Sequence, residues 1–181
     1  RILTARHFCA NTNEKELLEK VPESSKPVQE ALAVIDVENV GHQVKMFAYD
    51  ADFDICVMIT EKIKQPAVTI SPAAPERGEK VFNIAAPLGI SDGKAVLLFE
   101  GYYAGDTIAA VTGTRASLYS IPTTSGSSGS AILNEDGELI GITFAGLNEF
   151  KQVCMAVPWD VLVKFVQFTN LLPEPDEIDG G

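Results

Sequence analysis

Apolar and polar positions alternate in short runs along most of this chain, and turn-forming Gly, Pro, Asp and Asn residues separate the runs. Runs of this kind predict β-strands at residues 32–37, 43–49, 55–60, 67–70, 80–85, 95–103, 116–121, 130–133, 138–144 and 152–157. Asp136 and Gly137 lie between two of these runs and predict a tight hairpin, because glycine tolerates the positive φ of such a turn. Many short strands in succession predict an all-β sandwich or barrel.

Other segments of the chain show a different pattern. After Pro158, apolar residues recur at helical spacing, which predicts a helix over residues 158–170 with one face on the barrel. Residues 14–30 are charged and contain two prolines, so they predict a surface loop with a short helical piece at 15–20. The acidic residues of 171–181 predict a solvated tail.

The chain has 181 residues, of which 46% are apolar and 22% are charged, and this composition is typical of globular proteins. The length is enough for one sizeable core or two smaller fused cores. The apolar run at residues 95–99 is far shorter than the roughly 18 residues of a membrane span, so we expect no membrane partner. A net charge of −11 repels a phosphate backbone, so we expect no nucleic-acid partner either.

The three cysteines, Cys9, Cys56 and Cys154, show neither paired spacing nor the spacing of metal ligands. Cys56 and Cys154 lie within apolar runs, and the simplest interpretation is that all three are buried free thiols. That interpretation favours a reducing intracellular compartment.

A histidine, an aspartate and a serine lie in contexts that suit nucleophilic catalysis. Serine is a poor nucleophile at neutral pH, so it needs a base to take its proton and donors to bind the oxyanion that forms. His7 is the candidate base because it follows a strand-like lead at residues 2–5. His42 lies in a turn-like context and is predicted to be a solvated surface residue.

Three acids are candidates for the role of orienting His7, namely Asp50, Asp52 and Asp54. Asp54 directly precedes residues 55–59, which are apolar on both faces and therefore predict a buried strand. A carboxylate at the start of such a strand is partly desolvated and needs an imidazolium or N–H partner. Asp54 is therefore the favoured acid, and Asp52 is the alternative.

A Gly-Ser-Ser-Gly-Ser segment centred on Ser128 supplies the candidate nucleophile. Gly126, two positions earlier, lets the backbone turn sharply, so that the N–H groups of Gly126 and Ser128 face an oxyanion. The segment differs from the nucleophile elbow of α/β-hydrolases, because Ser130 stands where that motif has its second glycine and a strand follows. On composition alone, Ser125 and Ser127 remain rival nucleophiles.

Three short motifs together resemble those of trypsin-like (chymotrypsin-fold) serine proteases. Residues 4–7 resemble the T-A-x-H box of that family, residues 54–58 its Asp-bearing strand, and residues 126–130 its G-x-S-G-G turn. The chain order His, Asp, Ser is that of chymotrypsin-like barrels and differs from the orders in subtilisins and α/β-hydrolases. Residues 81–89 and 155–158 are closest in style to HtrA-like and virus-encoded members.

The resemblance implies an all-β fold of two antiparallel six-stranded-type β-barrels, the chymotrypsin-like double barrel, with a C-terminal helix. It implies a first barrel at residues 1–65 with the His and the Asp, and a second at 66–157 with the Ser, the oxyanion hole and the specificity pocket. A helix at 158–170 and the acidic tail at 171–181 follow. Because the sequence begins at the His-bearing strand, where the family has earlier strands, we expect the first barrel to lack its N-terminal strands. Either an N-terminal piece was omitted or removed, or the domain is a permuted or trimmed variant.

The resemblance also implies roles for particular residues. His7 is the general base and acid, Asp54 orients it, and Ser128 is the nucleophile, with the backbone N–H groups of Gly126 and Ser128 as the oxyanion hole. The residues expected to pair with the substrate backbone or to wall the primary specificity pocket are Thr123, Thr143, Phe144, Ala145 and Gly146.

These roles predict a serine endopeptidase that hydrolyses polypeptide substrates through an acyl-enzyme intermediate, with no cofactor and no metal. The pocket strand carries no acid to face a basic side chain and Phe144 narrows the site, so we expect small or medium apolar residues before the cleaved bond. Two other hypotheses remain. Ser130 in place of glycine and the missing strands permit a catalytically silent trypsin-like fold that binds peptides, and the style of the motifs permits a viral enzyme that processes its own polyprotein.

Overall fold

The computed structural model describes residues 1–9, 33–60, 63, 65–90, 95–109, 113–147 and 150–172. Strands dominate the described residues. They are β1 (Ile2–Ala5), β2 (Ala33–Ile35), β3 (Gly41–Asp50), β4 (Ile55–Thr60), β5 (Lys80–Ala85), β6 (Leu97–Ile108), β7 (Arg115–Tyr119), β8 (Ala131–Leu133), β9 (Leu139–Gly146) and β10 (Cys154–Ala156). The two helices described are α1 (Arg6–Cys9) and α2 (Trp159–Leu171), and a single 3₁₀ turn spans Pro87–Gly89.

The first sheet contains four antiparallel strands in the order β1-β4-β3-β2. Its inner strand β4 is buried from Ile55 to Ile59, as its run of apolar residues predicts. In the β1–β4 pairing, Ala5 lies opposite Ile55. The end of β1 and the start of β4 therefore meet at one edge, so the residues just beyond them, His7 and Asp54, are brought close together.

The second sheet is a closed barrel with the strand order β10-β7-β6-β5-β8-β9. Its core includes Val81, Tyr119 and Ile132, which are buried side chains from three different strands. The predicted hairpin is confirmed, because β8 and β9 pair in antiparallel fashion and Gly137 between them has a φ of +77°. This hairpin follows Ser128 directly and so anchors the segment that carries the candidate nucleophile.

A shared hydrophobic core joins the open sheet, the barrel and α2. Ile55 and Val57 of the first sheet pack in one cluster with Ile142 of the barrel and with Leu162 and Phe165 of α2. Burying a side chain of this size stabilises the fold by about 1.5–3 kcal/mol. The predicted docking of the C-terminal helix is therefore confirmed, and the seam between the two sheets is held together by apolar contacts.

The all-β architecture with a C-terminal helix is as expected, but one predicted strand is not formed. Residues 67–70 form no strand and contribute one bridge, between Ile70 and Leu139. Pro66 and Pro72 flank this run, and proline lacks the N–H that a sheet ladder needs. The strand-like lead predicted at residues 2–5 is confirmed, because β1 spans Ile2–Ala5.

The first sheet has four strands within the described residues and is open, with β1 and β2 at its edges, unlike a six-stranded barrel. The expected lack of N-terminal strands in the first barrel stays a prediction. The division into domains at residue 65 stays a prediction. The loop at 14–30, its helical piece at 15–20 and the tail beyond residue 172 lie outside the described residues.

The expectation of three free thiols is wrong for two of the cysteines. Cys9 and Cys56 form a disulfide, whereas Cys154 is free and buried. The bond is possible because α1 turns back after β1 while Cys56 lies on the neighbouring strand, a proximity that spacing along the sequence does not show. The cysteines therefore no longer favour a reducing compartment. Within the described part of the chain, no helix is long and apolar enough to cross a membrane.

Candidate active site

A histidine–aspartate pair lies where β1 and β4 meet. The Nδ1 atom of His7 is 2.6 Å from Oδ2 of Asp54, and the other carboxylate oxygen accepts the backbone N–H of His7 at 3.0 Å. The carbonyl oxygen of Asp54 also accepts the N–H of Arg6 at 2.8 Å. Three hydrogen bonds thus fix the acid against the start of α1. Since a carboxylate only accepts, Nδ1 donates to it, and Nε2 is left as the basic atom.

Asp54 adopts a φ of +51°, in the left-handed region that few residues other than glycine occupy. Aspartate tolerates this region better than most residues because its short polar side chain can bond locally. Here the conformation turns the carboxylate toward His7 before β4 begins. By contrast, Asp52 is exposed, and its N–H donates to the carboxylate of Asp50 within the same turn.

The segment that carries Ser128 packs directly on β1. A Cβ atom at Gly129 would collide with the hydroxyl of Thr4 and would lie 3.2 Å from the backbone nitrogen of Ala5. The N–H of Gly129 donates to the carbonyl of Thr143 at 2.6 Å, which ties the same turn to β9. Glycine is therefore required here, and its close approach brings Ser128 to the strand that leads into His7.

The hydroxyl of Ser128 donates to the carbonyl oxygen of Phe144 at 3.2 Å. Among the described contacts, it forms no hydrogen bond with His7. In unliganded enzymes the bond between nucleophile and base is often long or poorly aligned. The structure therefore brings His7 into contact with Asp54. The hydroxyl of Ser128 is hydrogen-bonded instead to the carbonyl of Phe144 in the barrel.

The two N–H groups predicted for an oxyanion hole, those of Gly126 and Ser128, have no acceptor among the described residues. The carbonyl oxygen of Ser125 accepts the N–H of Leu88 at 2.7 Å. In a trans peptide the C=O and N–H point in opposite directions, so the N–H of Gly126 points away from Leu88. A Cβ at Gly126 would lie 2.7 Å from the carbonyl oxygen of Ala86, so this close approach requires glycine.

The rival nucleophiles differ from Ser128 in their surroundings. Ser127 is 1% exposed, and its hydroxyl accepts the N–H of Thr124, so a substrate has little access to it. Ser125 is exposed, but its carbonyl is turned toward Leu88. Ser130 accepts a hydrogen bond from the amide of buried Asn83 at 2.8 Å, so the residue in place of the second glycine has a structural contact.

A cavity of about 280 Å³ adjoins Ser128. Its lining residues are Thr123, Thr124, Ser125, Ser128, Ala145, Gly146, Leu147 and Lys151. Three of the predicted substrate-binding residues, Thr123, Ala145 and Gly146, therefore surround one space beside the candidate nucleophile. Thr143 and Phe144 are buried and do not line it.

Sequence reasoning missed Lys151, which lies in the turn between β9 and β10. Its backbone carbonyl accepts the N–H of Thr123 at 2.8 Å, and this bond holds the turn against the cavity wall. No local pattern in the sequence marks Lys151, because the contact joins segments that are distant in the chain. The residues around it look like an ordinary polar turn.

The remaining titratable candidates have structural contacts. Burial raises the pKa of the Cys154 thiol, although hydroxyls of Thr143 and Thr123 act in the opposite direction, so this thiol stays neutral. His42 is not the solvated residue we expected, because its Nε2 lies 2.9 Å from Asp36 in the β2–β3 turn. That hydrogen bond lowers the pKa of Asp36. No cluster of potential metal ligands occurs in the described ranges.

The fold and the site together define a class of protein, a β-barrel fold with a His–Asp pair and a serine turn where the two sheets meet. Residues 1–142 match the family model of the trypsin-like peptidase domain. The chain therefore belongs to the trypsin-like peptidase family, as its motifs suggested. No curated protein matches the sequence significantly.

Solved structures agree with the chymotrypsin-like double-barrel fold. The serine endoprotease from Yersinia pestis superimposes with a TM-score of 0.67 and 18% identity, covering 92% of this chain and 52% of that one. The active form of the Rv3671c protease from M. tuberculosis has a TM-score of 0.63 and 11% identity, with coverages of 76% and 62%. The chain thus spans less than two thirds of the length of either, and at these identities the likeness shows the fold.

Proposed function

We propose that this chain is a serine endopeptidase that hydrolyses peptide bonds through an acyl-enzyme at Ser128. The observation that carries the proposal is the 2.6 Å contact between Nδ1 of His7 and Asp54. It fixes the tautomer that leaves Nε2 basic, and the packing of Gly129 on β1 brings the serine turn beside the same strand.

In the first half of the reaction, the hydroxyl of Ser128 rotates from the carbonyl of Phe144 to Nε2 of His7. As His7 takes the proton, Oγ of Ser128 bonds to the substrate carbonyl carbon, and the carbonyl oxygen becomes an oxyanion. The N–H groups of Gly126 and Ser128 donate to that oxyanion, which is where preorganised donors have their largest effect.

Collapse of the tetrahedral intermediate breaks the C–N bond, and the imidazolium of His7 gives its proton to the leaving amine. Water then attacks the acyl-enzyme by the same route, with His7 taking a proton from water and returning it to Oγ of Ser128. Asp54 stays ionised throughout and stabilises the imidazolium that forms twice in each cycle.

Polypeptides are the substrate class that fits this site. The end of β9, at the half-buried Ala145 and Gly146, forms a wall of the cavity beside Ser128, where an extended peptide can add to the sheet edge. The hydrogen bond between Ser130 and Asn83 removes one reason to favour a catalytically silent binding module, because Ser130 is accommodated within the barrel.

A fluorophosphonate probe tests the nucleophile directly. We expect the wild-type chain to be labelled and the Ser128→Ala variant to stay unlabelled. Ser125→Ala is the matched control, since it removes a neighbouring exposed hydroxyl and should retain the label. Persistent labelling of Ser128→Ala would exclude Ser128 as the nucleophile, and an unlabelled wild-type chain would favour the binding module.

A further inference from the structure

Lys151 is the one charged residue among the described residues that line the cavity beside Ser128, and it is exposed to solvent. The other lining residues carry hydroxyl groups or are Ala145, Gly146 and Leu147. We propose that this cavity binds an acidic side chain, glutamate or aspartate, of the residue that precedes the cleaved bond. This inference rests on the proposed peptidase function and replaces the sequence-based expectation of a small or medium apolar residue.

The position of Lys151 is set by its backbone. Its carbonyl accepts the N–H of Thr123 at 2.8 Å, and the turn closes through the N–H of Val153, which donates to the carbonyl of Phe150 at 3.2 Å. Thr123 is itself buried in the cavity wall. The lysine is therefore attached to a fixed part of the barrel and remains beside the cavity.

Among the described residues, the charge of Lys151 is not used in an ion pair. No described carboxylate lies within ion-pair distance of its ammonium group, whereas Lys80 pairs with Glu100 at 3.0 Å and Lys164 pairs with Asp160 at 3.7 Å. An ammonium group donates up to three hydrogen bonds and accepts none. A ligand that uses this group must therefore present an acceptor, and an anionic acceptor gives the strongest bond.

Two hydroxyls of the lining can complete the recognition of a carboxylate. Those of Thr124 and Ser125 donate to no acceptor among the described residues, whereas the hydroxyl of Thr123 already donates to the carbonyl of Ile121 at 3.1 Å. An ionised carboxylate accepts several hydrogen bonds and donates none. The lining thus offers donors of the kind that such a group requires.

The shape of the cavity leaves room for a side chain. A Cβ atom at Gly146 would lie 3.0 Å from the methyl carbon of Thr123, so glycine keeps the wall at this point flat.

The chain as a whole carries a net charge of −11 and repels acidic groups at long range. The attraction must therefore be local to Lys151, and added salt should weaken it because the site is open to solvent.

The test is a series of peptides that differ only in the residue before the cleaved bond, which is Glu, Gln, Leu or Lys. Glu and Gln are nearly isosteric and differ in charge, so their ratio of kcat/KM isolates the charge. We expect wild type to prefer Glu over Gln by roughly 5- to 30-fold, the range that an interaction of one or two kcal/mol gives. Lys151→Met should abolish this ratio, and Lys151→Glu should favour the Lys peptide.

Lys164→Met is the matched control, because it removes an exposed lysine on α2 outside the site and should leave the ratio unchanged. Equal kcat/KM values for Glu and Gln in wild type, or a ratio that survives in Lys151→Met, would overturn the acidic preference while leaving the peptidase function intact.

The inactive Ser128→Ala variant separates the two proposals further. Its affinity for the Glu and Gln peptides, measured by calorimetry, reports the cavity's preference without turnover. Equal affinities overturn the acidic preference. A wild-type chain that cleaves no peptide and takes no fluorophosphonate contradicts the peptidase proposal instead.

Discussion

The N–H of Leu88 donates to the carbonyl oxygen of Ser125 at 2.7 Å, and Leu88 does so with a φ of +56°. A bulky residue in the left-handed region costs roughly 1–2 kcal/mol, so the surrounding structure holds it there. The contact joins the turn after β5 to the serine segment and sets the direction of the peptide between Ser125 and Gly126. The orientation of the predicted oxyanion hole thus depends on a turn that contributes no catalytic group.

Replacement of Gly126 should therefore impair catalysis more than it impairs folding. In Gly126→Ala, the added Cβ meets the carbonyl oxygen of Ala86 at 2.7 Å and sits at a φ of +91°, so the turn must shift and its N–H moves. Loss of one oxyanion donor typically lowers kcat about 100- to 1,000-fold. Steady-state kinetics on a cleaved peptide measure this, with KM expected to change little.

Gly137→Ala is the matched control for backbone strain. Gly137 has a φ of +77°, but a Cβ there meets nothing within 4 Å, and it lies in the β8–β9 hairpin away from the cavity. We expect a modest loss of stability and unchanged kcat. An equal loss of kcat in both variants would contradict a specific role for Gly126.

The choice between Asp54 and Asp52 can be tested by the same substitution at each position. Asp54→Asn keeps the shape, but with its one oxygen on the backbone N–H of His7 its NH₂ donor faces Nδ1. This favours the wrong imidazole tautomer and should lower kcat about 10⁴-fold. Asp52→Asn should leave kcat within a factor of two or so, because Asp52 is exposed and its N–H bonds only within its own turn. Comparable losses in the two variants would reject Asp54 as the orienting acid.

The cysteines should differ in reactivity. The native chain should take up no iodoacetamide, because Cys9 and Cys56 are bonded and burial raises the pKa of the Cys154 thiol. The unfolded, unreduced chain should take one label and the unfolded, reduced chain three, one for each cysteine in the sequence. Intact-mass spectrometry counts the labels, and three labels without reductant would show that the disulfide is absent.

Reduction of the disulfide should destabilise the fold. It closes a loop with a sequence separation of 47, for which the chain-entropy model gives about 4 kcal/mol. The free energy of unfolding in urea, measured with and without reductant, should fall by up to about this amount. In a Cys9→Ala/Cys56→Ala variant, reductant should not change the free energy of unfolding. If reductant destabilised this variant as much as wild type, the destabilisation would not come from the disulfide.

Alkaline pH should lower the free energy of unfolding, because the hydroxyl of Tyr103 ionises. Burial, together with the hydrogen bond of its hydroxyl to Asp106 at 2.8 Å, raises the pKa of Tyr103 to about 12. Because the unfolded tyrosine ionises near pH 10, its contribution to stability is complete below pH 10 and is lost as pH rises to about 12. The ultraviolet absorbance of tyrosinate, compared between wild type and Tyr103→Phe, should show one group ionising in this late range. Its ionisation near pH 10 would contradict the shift.

The sequence by itself determined the family and the local elements. Motif spacing and chain order led to the trypsin-like family, and apolar periodicity located β4, β5 and α2 closely. Asp136 and Gly137 predicted the hairpin, because a tight turn depends on local backbone freedom. Such features follow from interactions between residues that are near neighbours in the sequence, so the sequence alone is enough to predict them.

Only the tertiary structure decided the relationships between distant segments. The Cys9–Cys56 disulfide, the bond from Leu88 to Ser125 and the position of Lys151 beside the cavity each join segments far apart in the chain. Strand register and barrel closure create these contacts, and they arise from the packing of the whole core. No local pattern encodes them, because the partners meet only after the sheets have formed.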